Sequence, residues 1–212
     1  MKKKLITLIS LGFILLASCS KYPPETSRLA EDMVIYTKYD LTANFATYKT
    51  FAIVPNIAYI DGKDSSVLTD ANAQALLGEI TLNMENRGYK LTSRTSAPDL
   101  GINVTAIKNT STTVYTPGWY WGYPGYYSPG WWGYPGYGYD YPYPPTYISS
   151  YSTGTLLIDL VDLKNKTTDN KVMIRWNAYI RALMTGNHTL DDIIKSIDQA
   201  FKQTPAIKAS AK

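Results

Sequence analysis

The expected fold rests on two segments, YSTGTLLIDLVDL at residues 151–163 and KVMIRWNAYIRALM at residues 171–184. Both are long and rich in apolar residues, and the seven residues between them, KNKTTDN, are polar and turn-prone. In the second stretch the apolar side chains of Val172, Ile174 and Trp176 recur at every second position. A repeat of two places alternate side chains on opposite faces of a strand. The pattern therefore predicts a long antiparallel hairpin with one buried face and one wet or mixed face.

Two helices are predicted from apolar residues that recur at helical spacing. The first helix begins at a cap formed by Thr69 or Asp70 and runs to about residue 87. The last helix begins at Thr189, and Asp192 stands three residues further on in a near-capping-box arrangement. In such a box the two side chains accept hydrogen bonds from backbone amides that the helix leaves unpaired.

The strands and helices together predict an α+β fold. We expect an antiparallel or mixed β-sheet with two helices packed on one face, and the other face left to solvent or to a partner. A single domain is predicted over residues 32–205, with a loop at residues 56–68 and a frayed tail at residues 206–212. Besides the hairpin, strands are predicted at residues 33–39, 48–54, 89–92 and 100–106.

Residues 117–146, called the aromatic segment below, differ in composition from the rest of the chain. From 117 to 145, every residue except Ser128 and Asp140 is Gly, Pro, Trp or Tyr. Proline and glycine at this density prevent a regular helix or a central strand, so a long Gly/Pro/Tyr/Trp-rich loop is predicted inside the domain. Loops of this length are usually functional or disordered.

Two interpretations of the aromatic segment stay open. It could fold over its own domain and have no ligand. It could instead offer Tyr and Trp faces that stack on a glycan, lie in a lipid headgroup layer or dock on an envelope protein. The candidate contact residues are Trp119, Trp121, Tyr123, Trp131, Trp132 and Tyr134.

The N-terminus predicts export and lipidation. Three lysines at positions 2–4 precede an apolar run, which is the layout of a signal peptide and is too short to span a bilayer comfortably. The run ends Leu16-Ala17-Ser18-Cys19, which resembles the lipobox of bacterial lipoproteins. We therefore predict a signal peptide at residues 1–18, a lipid on Cys19 and a tether at residues 19–31. Ser20, which is not acidic, favours the outer membrane.

Charge argues against a nucleic-acid partner. Removal of residues 1–18 takes away three of the 21 basic residues and none of the 17 acidic ones, which leaves a net charge of +1. Nucleic-acid binding needs a clustered basic face. The expected partners are instead the membrane, through the lipid, and an envelope protein or a glycan.

No catalytic motif, metal site or cofactor site is predicted. The chain has one histidine, His188, which directly precedes the cap of the last helix, and its one cysteine, Cys19, is assigned to lipidation. A catalytic triad needs a histidine, and metal sites draw on several His or Cys residues. We therefore expect a protein that is not an enzyme.

Paired carboxylates leave one enzymatic alternative open. Asp159 and Asp162 lie in the first hairpin arm, and a glycosidase works with two carboxylates at a set separation. The simpler expectation is that Asp159 pairs across the hairpin with Arg175 or Arg181.

Several motifs resemble one known family. They are Asn44–Ala52, Glu85–Tyr89, Ala97–Leu100, Gly154–Asp162 and Trp176 on the following strand. Together they are similar to domain-of-unknown-function family 4136, over the whole predicted domain. The resemblance implies a small envelope lipoprotein of a Gram-negative bacterium with no assigned activity. We thus predict a lipid-anchored periplasmic lipoprotein, a non-enzymatic binding or structural protein, with a glycan-directed enzyme as the alternative.

Overall fold

The computed structural model describes residues 33–62, 64–108, 118–123, 125–143, 154–165, 167–181 and 188–210. Of Trp119 it describes the backbone and not the side chain. These residues belong to one compact unit, which spans residues 32–212. Cys19 lies outside the described residues, as do the predicted signal peptide and tether. In the described part of the chain, no helix is both long enough and apolar enough to cross a membrane.

Two α-helices and nine strands are found in the described residues. In chain order the elements are β1 (Val34–Tyr39), β2 (Thr50–Ile53), β3 (Ile57–Asp61), β4 (Asp64–Leu68), α1 (Ala71–Asn86), β5 (Lys90–Leu91), β6 (Leu100–Lys108), β7 (Gly138–Asp140), β8 (Thr155–Asp162), β9 (Lys171–Arg181) and α2 (Leu190–Lys202).

The described strands form one open, mixed sheet, which confirms the predicted α+β class. The central strand order is β1-β9-β8-β6-β2-β5, while β3 pairs with β4 and β6, and β7 pairs with β9. Strands β8 and β9 are antiparallel neighbours, as the hairpin pattern predicts, and β8 is also antiparallel to β6. Strands β2 and β3 both run parallel to β6.

Both helices lie on one face of the sheet. Trp176 of β9 stacks on Phe201 of α2 with ring centroids 4.9 Å apart, and its indole N–H donates to the Thr204 hydroxyl at 3.0 Å. Leu160 lies opposite Trp176 in the sheet, and Ile102 lies opposite Leu160, so these apolar side chains share the helical face. Helix α1 packs against α2 on the same side.

The capping predictions hold at both helices. The Asp70 carboxylate accepts a hydrogen bond from the Ala73 amide at 2.8 Å, which fixes the start of α1. At α2, the Thr189 side chain accepts from the Asp192 amide while the Asp192 carboxylate accepts from the Thr189 amide. These reciprocal bonds satisfy amides at the start of the helix, as a capping box requires.

Two predictions about individual segments are wrong. Residues 56–68 are not a loop, because β3 and β4 form a hairpin there and Gly62 takes a left-handed φ of 63° in its turn. The polar second arm, Asp64–Leu68, conceals this hairpin in the sequence. The tail is not frayed where it is described. Ile207 is buried, and the Ala209 amide donates to the Arg87 carbonyl at 2.9 Å, so the last residues pack on α1.

The sheet face opposite the helices is also covered, which overturns the expectation that solvent or a partner meets it. A Cβ built on Gly101 of β6 would lie 2.9 Å from the Trp132 ring and 3.1 Å from a Leu163 methyl. The aromatic segment therefore lies directly on the sheet there. Helices, sheet and aromatic segment make three layers.

Gly101→Ala tests this close contact. The added methyl group has to displace the Trp132 ring, so we expect the free energy of unfolding to fall by about 1–3 kcal/mol, a typical cost of overpacking. Urea unfolding of the full chain measures it. The control is Gly78→Ala in α1, where an added Cβ meets nothing within 4 Å. That change should stabilise the helix by about 0.5–1 kcal/mol. Equal stability of Gly101→Ala and the parent would contradict the packing described here.

Candidate functional site

A row of three polar side chains crosses the sheet beneath the aromatic segment. Asn103 of β6 lies opposite Asp159 of β8, and Asp159 lies opposite Asn177 of β9. All three residues are buried. We call Asn103, Asp159 and Asn177 the polar row. Buried polar groups are costly unless they are hydrogen-bonded, so each of these side chains needs a partner.

The aromatic segment supplies partners to Asn103 from both sides of its amide. The two N–H bonds of Nδ2 are shared among three acceptors at 3.1 Å, which are the hydroxyls of Tyr126 and Tyr139 and the Tyr127 carbonyl. The Oδ1 atom accepts from the indole N–H of Trp132 at 3.0 Å. One side chain of β6 thus holds four residues of the segment.

Asp159 is the most unusual member of the polar row. Its Oδ2 atom accepts hydrogen bonds from the hydroxyls of Tyr120 at 3.2 Å and Tyr126 at 3.1 Å. Its Oδ1 atom is buried and has no hydrogen-bond partner among the described residues. Burial raises the pKa of this carboxyl to about 7, and the two tyrosine hydrogen bonds only partly oppose the shift. Burial and the nearby Asp159 charge in turn raise the pKa of Tyr120 and Tyr126.

Asn177 completes the row by accepting a hydrogen bond from the Tyr143 hydroxyl at 3.3 Å. The rings above the row also contact one another edge to face. Tyr126 lies 5.4 Å from Tyr120 and 5.9 Å from Tyr139, measured between ring centroids. Such pairs contribute about 0.5–1.5 kcal/mol each beyond the burial of their area. In the described residues 118–123 and 125–143, the inner side of the segment is therefore a packed layer of rings, held by these hydrogen bonds and ring contacts.

The predicted contact residues divide between the inner and outer sides of this layer. Trp132 is only 6% exposed, so its ring serves the packing of the domain itself. Trp121 is half-buried, and its buried Nε1 has no hydrogen-bond partner in the described part of the chain. Tyr123, Trp131 and Tyr134 are half-buried. The side chain of Trp119 lies outside the described structure.

A cleft of about 390 Å³ opens at the outer edge of the layer. The segment contributes Trp132 and Tyr134 to its lining, and the turn before β6 contributes Arg94. The Arg94 guanidinium lies over the Trp131 ring, 4.6 Å from its centroid, and Nη1 donates to the Trp131 carbonyl at 2.6 Å. Sequence reasoning missed Arg94 because nothing in its local sequence ties it to a segment some 37 residues away.

Asp162 belongs to a separate ionic cluster. Its Oδ2 atom lies 2.9 Å from Arg175 Nη2, and Nη1 of the same guanidinium lies 2.6 Å from the Asp40 carboxylate. Asp162 also accepts from the Tyr48 hydroxyl at 2.8 Å.

The prediction that Asp159 pairs with Arg175 or Arg181 is wrong for Arg175, because Asp162 and Asp40 bind that guanidinium. Although burial of Asp40 acts to raise its pKa, hydrogen bonds from Thr42 and Arg175 outweigh it and lower the pKa.

No group of three or more His, Cys, Asp or Glu side chains suited to a metal ion occurs within the described ranges. His188 stands directly before Thr189, the capping residue of α2. Besides Arg94, sequence reasoning missed Asn103 and Asn177, two polar residues inside otherwise apolar strands. Asn103 could have been noticed for that reason, because a central strand rarely buries an amide without a specific partner.

The fold and the site define an α+β protein with two helices on one face of the sheet and an aromatic layer on the other. The model described as "Domain of unknown function (DUF4136)" matches residues 35–206, so the chain belongs to this family. The predicted resemblance is confirmed. A crystal structure of a DUF4136 family protein from Bacteroides thetaiotaomicron is 32% identical, has a TM-score of 0.69, and covers 83% of this chain and 97% of its own.

A more remote similarity is to a PelC dodecamer from Paraburkholderia phytofirmans. It is 10% identical, has a TM-score of 0.40, and covers 85% of this chain and 100% of that chain. At this level nothing about assembly or ligands passes to the present chain. The chain matches no curated protein.

Asp159→Asn tests the role of the buried acid. The unfolded chain releases this proton near pH 4, whereas the folded chain keeps it until about pH 7. The folded state therefore binds more protons in between, and the free energy of unfolding falls as the pH rises through that interval. Asparagine cannot ionise, so the variant should gain stability relative to the parent as the pH rises, by about 4 kcal/mol at most.

Urea unfolding of both chains between pH 4 and pH 8 measures this difference. Asp140→Asn, which removes an exposed carboxylate of the aromatic segment, is the control for the loss of one negative charge. A difference between Asp159→Asn and the parent that stays constant with pH would show that Asp159 does not titrate in this way.

Proposed function

We propose that the chain is a lipid-anchored periplasmic lipoprotein, held at the outer membrane, which binds an envelope partner or glycan through the outer side of its aromatic layer. The observation that carries the proposal is the division of the aromatic segment. Its inner rings are fixed to the polar row, and its outer rings stay half-buried at the surface. A fixed scaffold that presents aromatic faces is suited to binding because little ordering is needed on contact.

The anchor is supported by the sequence of the N-terminus. The apolar run ends at Leu16-Ala17-Ser18-Cys19, and Cys19 is the sole cysteine of the chain. A lone thiol in an exported protein calls for an explanation, and lipidation supplies one. Several acyl chains on one residue give stable attachment, since one chain alone binds only marginally.

The binding role is supported by the chemistry of the outer side. Tyr and Trp offer a flat apolar face together with a polar edge, a combination typical of contact surfaces. We assign to that side the rings of Tyr123, Tyr127, Trp131, Tyr134 and Tyr137, which are half-buried and pack partly against the core. The Tyr127 carbonyl accepts from Asn103, and turn hydrogen bonds within the segment hold the amides of the other four residues, which favours a pre-formed surface.

A role without catalysis is supported by the places of the two hairpin carboxylates. A glycan-directed enzyme needs a pair of carboxylates that meet the substrate. Asp162 is occupied by Arg175 and Tyr48, and Asp159 is 2% exposed and faces tyrosine hydroxyls. Both carboxylates thus contribute to the packing of the domain.

Cys19→Ser tests the anchor. Serine offers no thiol for the lipid, so we expect unlipidated precursor that is not cut and no longer sediments with the outer membrane. Membrane fractionation and mass spectrometry of the purified chain measure both effects. Ser20→Ala, which keeps the cysteine, is the control. Normal cutting and outer-membrane retention of Cys19→Ser would refute the lipoprotein proposal.

Substitution on the outer side tests the binding role more cleanly than deletion of the aromatic segment, because deletion would also uncover the polar row. The double variant Tyr123→Ala and Trp131→Ala should keep the fold and lose most retention on peptidoglycan or co-purification of envelope proteins. Tyr59→Ala, at a half-buried tyrosine on β3, is the matched control. Circular dichroism checks folding. Unchanged retention in a folded double variant would exclude the outer side as the contact surface.

A further inference from the structure

The cleft beside Arg94 has two unlike walls. One wall is the turn that leads into β6, and the other is the part of the aromatic segment around residue 133. Its volume of about 390 Å³ lies within the usual range of ligand clefts, about 300–1,000 Å³. The lining combines a cation, a hydroxyl and apolar rings, and includes Arg94, Thr95, Pro98, Trp132, Tyr134 and Leu163.

Arg94 is held in place and has unused donors. Its guanidinium lies over the Trp131 ring and spends one N–H on the Trp131 carbonyl. Within the described ranges it forms no ion pair with a carboxylate. A guanidinium has five N–H donors in a rigid fork that matches a carboxylate. Arg94 therefore brings an uncompensated positive charge and free donors to the cleft.

The turn that carries Arg94 is itself ordered by short-range bonds. The Ser93 and Ser96 hydroxyls lie 2.7 Å apart, and the Ser96 amide donates to the Ser93 carbonyl at 3.1 Å. On the opposite wall, the Tyr134 hydroxyl donates to the Leu163 carbonyl at 2.6 Å, which fixes its ring. Both walls are thus set by contacts within the domain, and the cleft is present before any ligand arrives.

We propose that this cleft binds an acidic saccharide, with its carboxylate on Arg94 and the apolar face of a sugar ring against Tyr134. This inference rests on the proposed function and names its ligand class. Charge complementarity favours an anionic ligand in this cleft, because Arg94 lacks an acidic partner among the described residues. The aromatic lining selects a ligand with flat apolar faces, and the Thr95 hydroxyl can bond to a sugar hydroxyl.

A saccharide fits this cleft better than an acidic peptide does. Extended peptides commonly bind by adding a strand to an open sheet edge. The lining comes instead from a short turn at residues 94–96 and from tight turns at residues 130–134, where backbone hydrogen bonds are already closed within the turns. Ring faces and side-chain donors therefore have to provide the contacts.

Isothermal titration calorimetry on the full chain in detergent tests the inference with three probes. They are tetragalacturonate, its methyl ester and tetraglutamate. We expect tetragalacturonate to bind. The methyl ester has the same rings without the charge, so its affinity should be lower by about tenfold or more, the usual effect of losing a charged hydrogen bond. Added salt should lower the affinity for tetragalacturonate and leave the affinity for the methyl ester unchanged.

The variants identify the residue responsible. Arg94→Gln should weaken tetragalacturonate binding by about tenfold. Arg94→Lys keeps the charge but loses the forked guanidinium donors, so its affinity should lie between that of Arg94→Gln and that of the parent. Lys90→Gln on β5, an exposed cation outside the cleft, is the matched control and should bind as the parent does. Circular dichroism of each variant checks that the fold is intact.

Several results would overturn the inference. One is equal affinity for tetragalacturonate and its methyl ester, and another is equal affinity for tetragalacturonate and tetraglutamate. A third is parent-like affinity of a folded Arg94→Gln variant for tetragalacturonate. Absence of tetragalacturonate binding would do so as well. If tetragalacturonate did not bind while envelope retention still depended on Tyr123 and Trp131, the acidic-saccharide site would be refuted and the proposed function would remain supported.

Discussion

The buried polar row is the constraint on which the three-layer structure depends. Asn103, Asp159 and Asn177 occupy facing positions on three central strands, where water cannot reach them once the domain is closed. An unpaired polar group in such a place costs about 1–3 kcal/mol. The aromatic segment removes most of that cost by bringing tyrosine hydroxyls and an indole N–H to the row, although Asp159 Oδ1 has no partner among the described residues. The segment is therefore part of the fold and not an appendage to it.

The two acidic positions of β8 show how burial divides one strand into different chemistries. Asp162, at the strand end, meets the guanidinium of Arg175, which also binds Asp40 just beyond β1 and so joins three parts of the chain. Asp159, three residues earlier, meets only hydroxyl donors, and its pKa rises to about 7. A buried carboxyl without a cationic partner tends to keep its proton.

Most of the fold could be predicted from the sequence because it rests on local periodicity and capping. The alternation around Trp176 and the paired signals at Thr189 and Asp192 are read within a few residues. The β3–β4 hairpin was missed because Asp64–Leu68 is polar and short, although Asp61 followed by Gly62 is itself a hairpin signal.

The site was harder to predict for a different reason. Proline and glycine remove the periodicity that would separate inner from outer rings, so Trp131 and Trp132 are alike in sequence. Trp132 is the core residue of the two because its ring lies on Gly101 and its indole N–H donates to Asn103, 29 residues earlier, and neither contact can be read from the local sequence. Membership of the family adds no chemistry to this distinction.

The uneven distribution of tryptophan gives the molecule a built-in optical probe. Four of the five tryptophans lie in the aromatic segment, and the fifth, Trp176, is buried against the helices on the other side of the sheet. Indole emission depends on the polarity around the ring, so the two faces of the sheet contribute separable signals. In a Trp176→Phe background, the remaining tryptophan emission would come from the aromatic segment alone. Binding, local opening and global unfolding of that layer could then be followed without an attached dye.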